Sequence, residues 1–257
     1  MSDELRRDLG GAIDRGELRL EFQPVVRLGS GTVVGAEALV RWRHPRRGTI
    51  PPADFLPVAE QAGLIDGIGD FVLEHAVRTA ATWPRTADRS ASVSVNVVPN
   101  QLRPKGSAQR MLAVVTESGL DARLLTIELT SGVGSEPAPI VSALVELRES
   151  GVRVALDDFG LATTLADLKR LPVDEIKLAR EFVGAINGPA EEADFALSLI
   201  SLASAHNAEV VAKGVESREQ AWRLAEAGCR YGQGFYFSKP LGATGVLAVL
   251  RQGSLRA

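Results

Sequence analysis

Eight short apolar or β-branched runs, most of them separated by longer stretches with helical spacing, constrain this chain more than any other feature it carries. The runs fall at 18–25, 32–40, 92–97, 124–129, 152–156, 175–178, 209–212 and 232–235. Helical spacing of apolar residues appears at 52–61, 65–82, 109–117, 137–149, 165–170, 190–205, 218–227 and 243–250. Alternating signals of this kind specify βα units and a largely parallel sheet, and eight strands is the number that closes a (β/α)8 barrel. The first two runs break the pattern. Little more than Arg27-Leu28-Gly29-Ser30-Gly31 divides them, too short for a crossover, so they must pair antiparallel as a hairpin. The predicted fold class is α/β, a TIM-like (β/α)8 barrel with one antiparallel strand near the start. The stretches 85–90 and 99–107 read as loops. No repeat, low-complexity tract or linker divides residues 1–257, so a single domain is expected.

Composition excludes more than it assigns. With 45% hydrophobic and 24% charged residues, the chain can bury a sizeable core. A net charge of −3 gives no field that would hold duplex nucleic acid or an anionic membrane, so an anionic ligand must be held by local groups. Cys229 is the one cysteine, which rules out an intrachain disulfide and reads as a small buried apolar residue. The charged start, Met1-Ser2-Asp3-Glu4-Leu5-Arg6-Arg7-Asp8, lacks the apolar centre of a signal peptide, and no apolar run approaches the length of a membrane span. A cytoplasmic location is expected.

Carboxylate and amide side chains recur at or near the ends of the apolar runs: Glu37, Asn96, Glu128, Asp157 with Asp158, and Glu216 just beyond the seventh run. In a barrel the C-terminal strand ends share one face, so these residues converge on one pocket. Oxygen ligands from separate strands suit a hard divalent cation, Mg²⁺ or Mn²⁺. The adjacent carboxylates of Asp157 and Asp158 can bridge two cations about 3.5–4 Å apart, as in two-metal phosphodiester hydrolysis. Taken singly, each carboxylate is better explained as a helix cap or a solvated turn; their recurrence on successive strands is what argues for a site. Arg41, Lys177 and Lys213 lie near the same strand ends, where a cation either neutralises the cluster or holds a phosphate and orients water.

The order of short motifs goes further. Phe22-Gln23-Pro24-Val25-Val26 is followed by Glu37-Ala38-Leu39-Val40-Arg41-Trp42, Val95-Asn96-Val97, Ile127-Glu128-Leu129-Thr130 and Asp157-Asp158-Phe159-Gly160. Gly214-Val215-Glu216 and Gly232-Gln233-Gly234-Phe235, with Ser238-Lys239-Pro240-Leu241, complete the series. In these motifs, over about residues 18–245, the chain resembles the EAL family of cyclic di-GMP phosphodiesterases. The resemblance implies a TIM-like barrel with one reversed strand, and cyclic di-GMP opened to the linear dinucleotide by metal-assisted attack of water. It implies that Glu37, Asn96, Glu128 and Asp157 hold a first Mg²⁺ or Mn²⁺, with Asp157 bridging and Asp158 holding a second. Lys177 would orient the nucleophilic water with Glu216 beside it, Arg41 would contact a phosphate, and Gln23, Leu39, Glu216 and Gln233 would line the ligand site. A homodimer and a protein partner are further readings that it leaves open.

The departures from the family pattern fall on one half of the site. Where the family reads Ala-Glu-Gly-Val-Glu, this chain reads Ala212-Lys213-Gly214-Val215-Glu216, so a carboxylate serving as second-metal ligand or general base has become a cation. The loop after Asp157-Asp158-Phe159-Gly160 is one residue short at Leu161-Ala162-Thr163-Thr164-Leu165, a steadying glutamate is Ser131, and Lys-Ile-Asp appears as Lys177-Leu178-Ala179. An ammonium beside a divalent ion costs several kcal/mol on the scale of about 4 kcal/mol per unit-charge pair at 4 Å and an effective dielectric near 20. The expectation is that Lys213 takes the place of the second cation, pairs with Asp158, and leaves a centre that binds nucleotide with weak or no hydrolysis. A working phosphodiesterase and a protein-interaction module that has abandoned nucleotide are the alternatives.

Overall fold

The computed structural model describes residues 2–86, 89–129, 138–161 and 165–255. Its eight barrel strands are β1 (Leu18–Arg27), β2 (Val33–His44), β3 (Ser92–Val97), β4 (Leu125–Leu129), β5 (Arg153–Phe159), β6 (Glu175–Leu178), β7 (Glu209–Lys213) and β8 (Tyr231–Gln233). From β2 to β8 each strand lies parallel to the next. β1 runs against both of its neighbours, pairing antiparallel with β2 from Leu18 opposite Trp42 to Val26 opposite Val33, and with β8 at Val26 and Arg27. The short connection after β1 forces this reversal, and β1 closes the barrel.

Pleating then sorts the side chains. Along β2, Ala36, Ala38, Val40 and Trp42 face outward and are buried. Trp42 meets Phe55 edge-on, with ring centroids 5.8 Å apart, and donates from Nε1 to Glu17. Side chains alternate across a strand, so Glu37, Leu39 and Arg41 take the opposite, inward face. A β-barrel of this size ordinarily fills its interior with bulky branched residues. Here the inward positions two residues before Glu37, Asn96, Glu128 and Asp157 are Gly35, Ser94, Thr126 and Ala155. Gly35 is demanded by contact, because a Cβ there would lie 2.5 Å from the carbonyl oxygen of Ser92 on β3.

The eight predicted helical stretches appear as Pro52–Gln61, Ile65–Ala81, Ser107–Ser118, Ala138–Glu149, Leu165–Arg170, Ala190–Ala205, Arg218–Glu226 and Ala243–Gln252. Ser217 caps the helix that follows β7, accepting the N–H of Gln220 while the Gln220 side chain accepts the N–H of Ser217. Among the described residues three more α-helices, Ser2–Leu9, Pro99–Leu102 and Arg180–Ala185, and a 3-10 turn at Ala122–Leu124 lie where no helix was predicted. The stretch 99–107 was expected to be a loop, but Pro99 opens a helix where its missing N–H costs nothing, and Gln101 accepts the Val98 N–H. Within 85–90, Arg85–Thr86 pairs with Arg89–Ser90 in a minimal ladder. The last strand stops at Gln233 rather than 235, since the chain turns at Gly234, whose carbonyl accepts the N–H groups of Phe237 and Ser238 and where a Cβ would lie 2.1 Å from the Val215 carbonyl oxygen. No helix among the described residues is long and apolar enough to cross a membrane.

Candidate active site

Two lysine-centred clusters occupy the C-terminal mouth of the barrel. In the first, Lys177 on β6 is buried and bridges two buried carboxylates, donating to Glu37 Oε2 at 2.8 Å and contacting Glu128 Oε1. Glu37 also accepts from Gln233 Nε2 at 2.7 Å and from Asn96 Nδ2 at 2.9 Å. In the second, Lys213 at the end of β7 donates to Asp157 Oδ1 at 2.6 Å, Asp157 Oδ2 at 2.8 Å and Asp158 Oδ1 at 2.8 Å. Side chains from β2, β3, β4, β5, β6, β7 and β8 thus share one mouth.

Consecutive strand residues point to opposite faces, yet Asp157 and Asp158 both reach Lys213. The register between β5 and β6 shifts between Leu156 and Phe159, and Asp158 adopts φ 47°, the left-handed region that a non-glycine residue enters at a cost. The Asp158 N–H donates to Asp157 Oδ1 at 2.9 Å, closing the turn on itself. This irregularity folds two successive carboxylates onto one ammonium.

The charges set the protonation states. Burial works to raise the Glu37 carboxyl, but Lys177, Lys213 and the Gln233 hydrogen bond outweigh it and bring it down to about 2. Glu128 goes the other way: burial, with Glu37 and Asp157 close by, pushes it up to about 8 against the pull of Lys177. Burial also raises Asp157 against Lys213. Both lysines lose hydration yet are pushed up, Lys177 by Glu128 and Glu37 and Lys213 chiefly by Asp157. With all four carboxyls ionised, Glu128 included, as cation binding would require, four carboxylates against two ammonium groups leave a formal charge of −2.

Whether such a set suits a divalent ion can be tested on its unsatisfied atoms. Glu128 is fully buried and its Oε2 has no partner, the state of a ligand oxygen awaiting a cation. The Asn96 amide gives its N–H to Glu37, so its carbonyl oxygen is not engaged there. As the side chains stand, however, no three carboxylate, imidazole or thiolate groups among the described residues converge as a ligand cage, because each ammonium occupies the space between two carboxylates. The donors fit one divalent cation by chemistry and charge.

Comparison with known proteins identifies the fold family. The EAL domain profile matches residues 5–240. The chain belongs to the EAL domain family. An uncharacterized protein of Mycobacterium tuberculosis is 38% identical over 237 residues, 90% of this chain and 77% of that protein. The bifunctional diguanylate cyclase/cyclic di-GMP phosphodiesterase MucR of Pseudomonas aeruginosa is 34% identical over 247 residues, 95% of this chain and 36% of MucR. Among solved structures, the MucR phosphodiesterase in its c-di-GMP complex matches with a TM-score of 0.88 at 33% identity, over 95% of this chain and 99% of that one. The EAL enzyme Bd1971, in a cAMP and cyclic di-GMP bound form, gives 0.92 at 28% identity, over 97% and 69%.

The remaining predicted residues of this EAL domain bond outside the two clusters. Gln23 pairs in register with Glu37 and donates to the Ser238 carbonyl at 2.6 Å. Leu39 lies opposite Glu21, and Arg41 donates to Glu21 at 2.8 Å. Glu216 stands apart on the turn after β7, its carboxylate exposed and its N–H donating to Gln220. Sequence reading missed Glu21, which fixes Arg41, and Phe235, which is 62% exposed one residue beyond Gly234 with the Lys239 ammonium 5.9 Å from its ring centre. An aromatic directly after Gln233-Gly234 was the available signal. Ser131 and the loop positions 162–164 lie outside the described residues.

Proposed function

We propose that this EAL domain binds cyclic di-GMP and hydrolyses it weakly or not at all. The observation that carries the reading is the Lys213 ammonium within 2.8 Å of oxygens of both Asp157 and Asp158. Two-metal hydrolysis needs a cation at those carboxylates and a group able to take a proton from water. A protonated lysine supplies fixed charge and hydrogen bonds but accepts no proton. The formal charge of −2 matches one divalent ion; a glutamate at position 213 would make it −4, enough for two. A bound Mg²⁺ or Mn²⁺ would polarise a phosphoryl oxygen, with Glu37, Asn96, Glu128 and Asp157 as its holders. Lys177 holds Glu37 and Glu128 in place, Arg41 is available to a phosphate, and Gln23 and Gln233 edge the ligand space.

The unpartnered Glu128 Oε2 favours a second reading, a slow phosphodiesterase working through that single cation. Calorimetry with cyclic di-GMP and Mn²⁺, run beside a chromatographic assay for the linear dinucleotide, separates the two. Tight binding without product supports the proposal. Turnover matching that of an intact relative removes it, and absence of binding removes both readings.

A further inference from the structure

We propose that the opposite, N-terminal mouth of the barrel is a second ligand site, built for a small organic phosphate. The small inward residues beneath the carboxylate clusters leave the interior open from below, where a cavity of about 540 Å³ enters the barrel. Cavities of that size take organic ligands rather than bare ions. Among the residues lining it are Ser94 and Thr126, both buried, which bring two hydroxyl-bearing side chains to the cavity. A hydroxyl can both donate to and accept from a polar guest.

The rim supplies the charge. Arg27, Arg123, Arg153 and Arg251 line the cavity, against Glu175 as its one acidic residue. Arg123 is taken up by Asp121 and Arg153 by Glu209. Arg27 and Arg251 have no carboxylate partner among the described residues. They are brought together by the chain path: the Arg27 N–H donates to the Thr32 carbonyl, the Val33 N–H donates to the Gly253 carbonyl, and Leu255 bonds back to Gly31. The end of the C-terminal helix is thereby pinned to the β1–β2 turn beside the opening.

Two guanidinium forks from different elements suit the several oxygens of a phosphate better than the two of a carboxylate. The Arg27 and Arg230 guanidinium groups lie 5.3 Å and 5.5 Å from the Tyr231 ring centre, so this ring helps to hold Arg27 beside the opening. Glu175 faces Arg153 at 3.8 Å, which offsets the negative charge opposing an anion. The site shares no residue with the carboxylate clusters and needs no divalent ion.

Titration calorimetry on metal-stripped protein tests this with three probes: inorganic phosphate, phenyl phosphate and benzoate. Phenyl phosphate should bind most tightly. Arg251→Ala and Thr126→Val should each weaken it about tenfold, whereas Asp157→Asn should leave it unchanged. Arg251 is exposed and Thr126→Val nearly preserves shape, so both variants should fold, which circular dichroism checks. Absence of saturable phenyl phosphate binding overturns the proposal. Benzoate binding as tight as phenyl phosphate, or a loss caused by Arg41→Ala and not by Arg251→Ala, overturns it equally.

Discussion

Replacing Lys213 with glutamate should turn a centre for one cation into a centre for two. The Lys213 ammonium is 2.6–2.8 Å from oxygens of Asp157 and Asp158, so a cation bound by those two carboxylates would lie within about 4 Å of it. Unit charges at that separation interact by about 4 kcal/mol at an effective dielectric near 20, and a divalent ion doubles the repulsion. The Lys213 side chain is 21% exposed; halving the sum for solvent screening leaves about 4 kcal/mol, or roughly a thousandfold in cation affinity. Equilibrium dialysis with Mn²⁺ at sub-millimolar concentration should find one equivalent in the unaltered domain and two in Lys213→Glu, with linear dinucleotide formed only by the variant. Two equivalents in the unaltered domain, or one in the variant, would refute the electrostatic reasoning.

Other perturbations have defined outcomes. Lys177→Met strands Glu37 and Glu128 without their buried counter-charge and should cost about 3–5 kcal/mol, read as a drop in Tm that Mn²⁺ partly restores. Gly35→Ala sets a Cβ against the Ser92 carbonyl and should cost about 1–3 kcal/mol in urea denaturation. Ser217→Ala removes the cap of the helix after β7 and should cost about 1 kcal/mol by the same measure. Burial pushes the Cys229 thiol up to about 12 from 9.0, so a disulfide reagent at pH 8 should label it only on unfolding. Between those two values the folded state keeps a proton that the unfolded state loses, so stability should fall as pH rises through that window.

The barrel was legible because each strand run had a clear period and the missing crossover after β1 left only one way to pair. Three helices were not. Ser2–Leu9 is mostly polar and fixed by tertiary ion pairs, Pro99–Leu102 is too short to display a period, and Arg180–Ala185 buries only Val183 and so shows no apolar stripe. The carboxylates at strand ends could be named because parallel strands align their ends. The bulge that turns Asp157 and Asp158 onto one ammonium could not, since it depends on how β5 meets β6. Lys213 illustrates both sides: its departure from the family motif is visible in the chain, while its choice of both aspartates, with the closest contact to Asp157, is a matter of geometry. Glu21 gave no warning at all, because its role follows from lying across the hairpin from Leu39, one diagonal away from Arg41.

Reversing β1 also decides from which side the chain enters. A first strand parallel to the rest would begin at the arginine-lined end; this one begins beside Trp42, level with the outer tip of β2. The preceding helix, Ser2–Leu9, is accordingly moored to that tip, with Asp8 accepting from His44 and Arg46 and Glu4 held by Arg46 and Arg47. A pull or twist applied to this helix therefore reaches the strand carrying Glu37 and Arg41 directly, as a lever on one side of the carboxylate-lined mouth, without having to travel the length of the barrel.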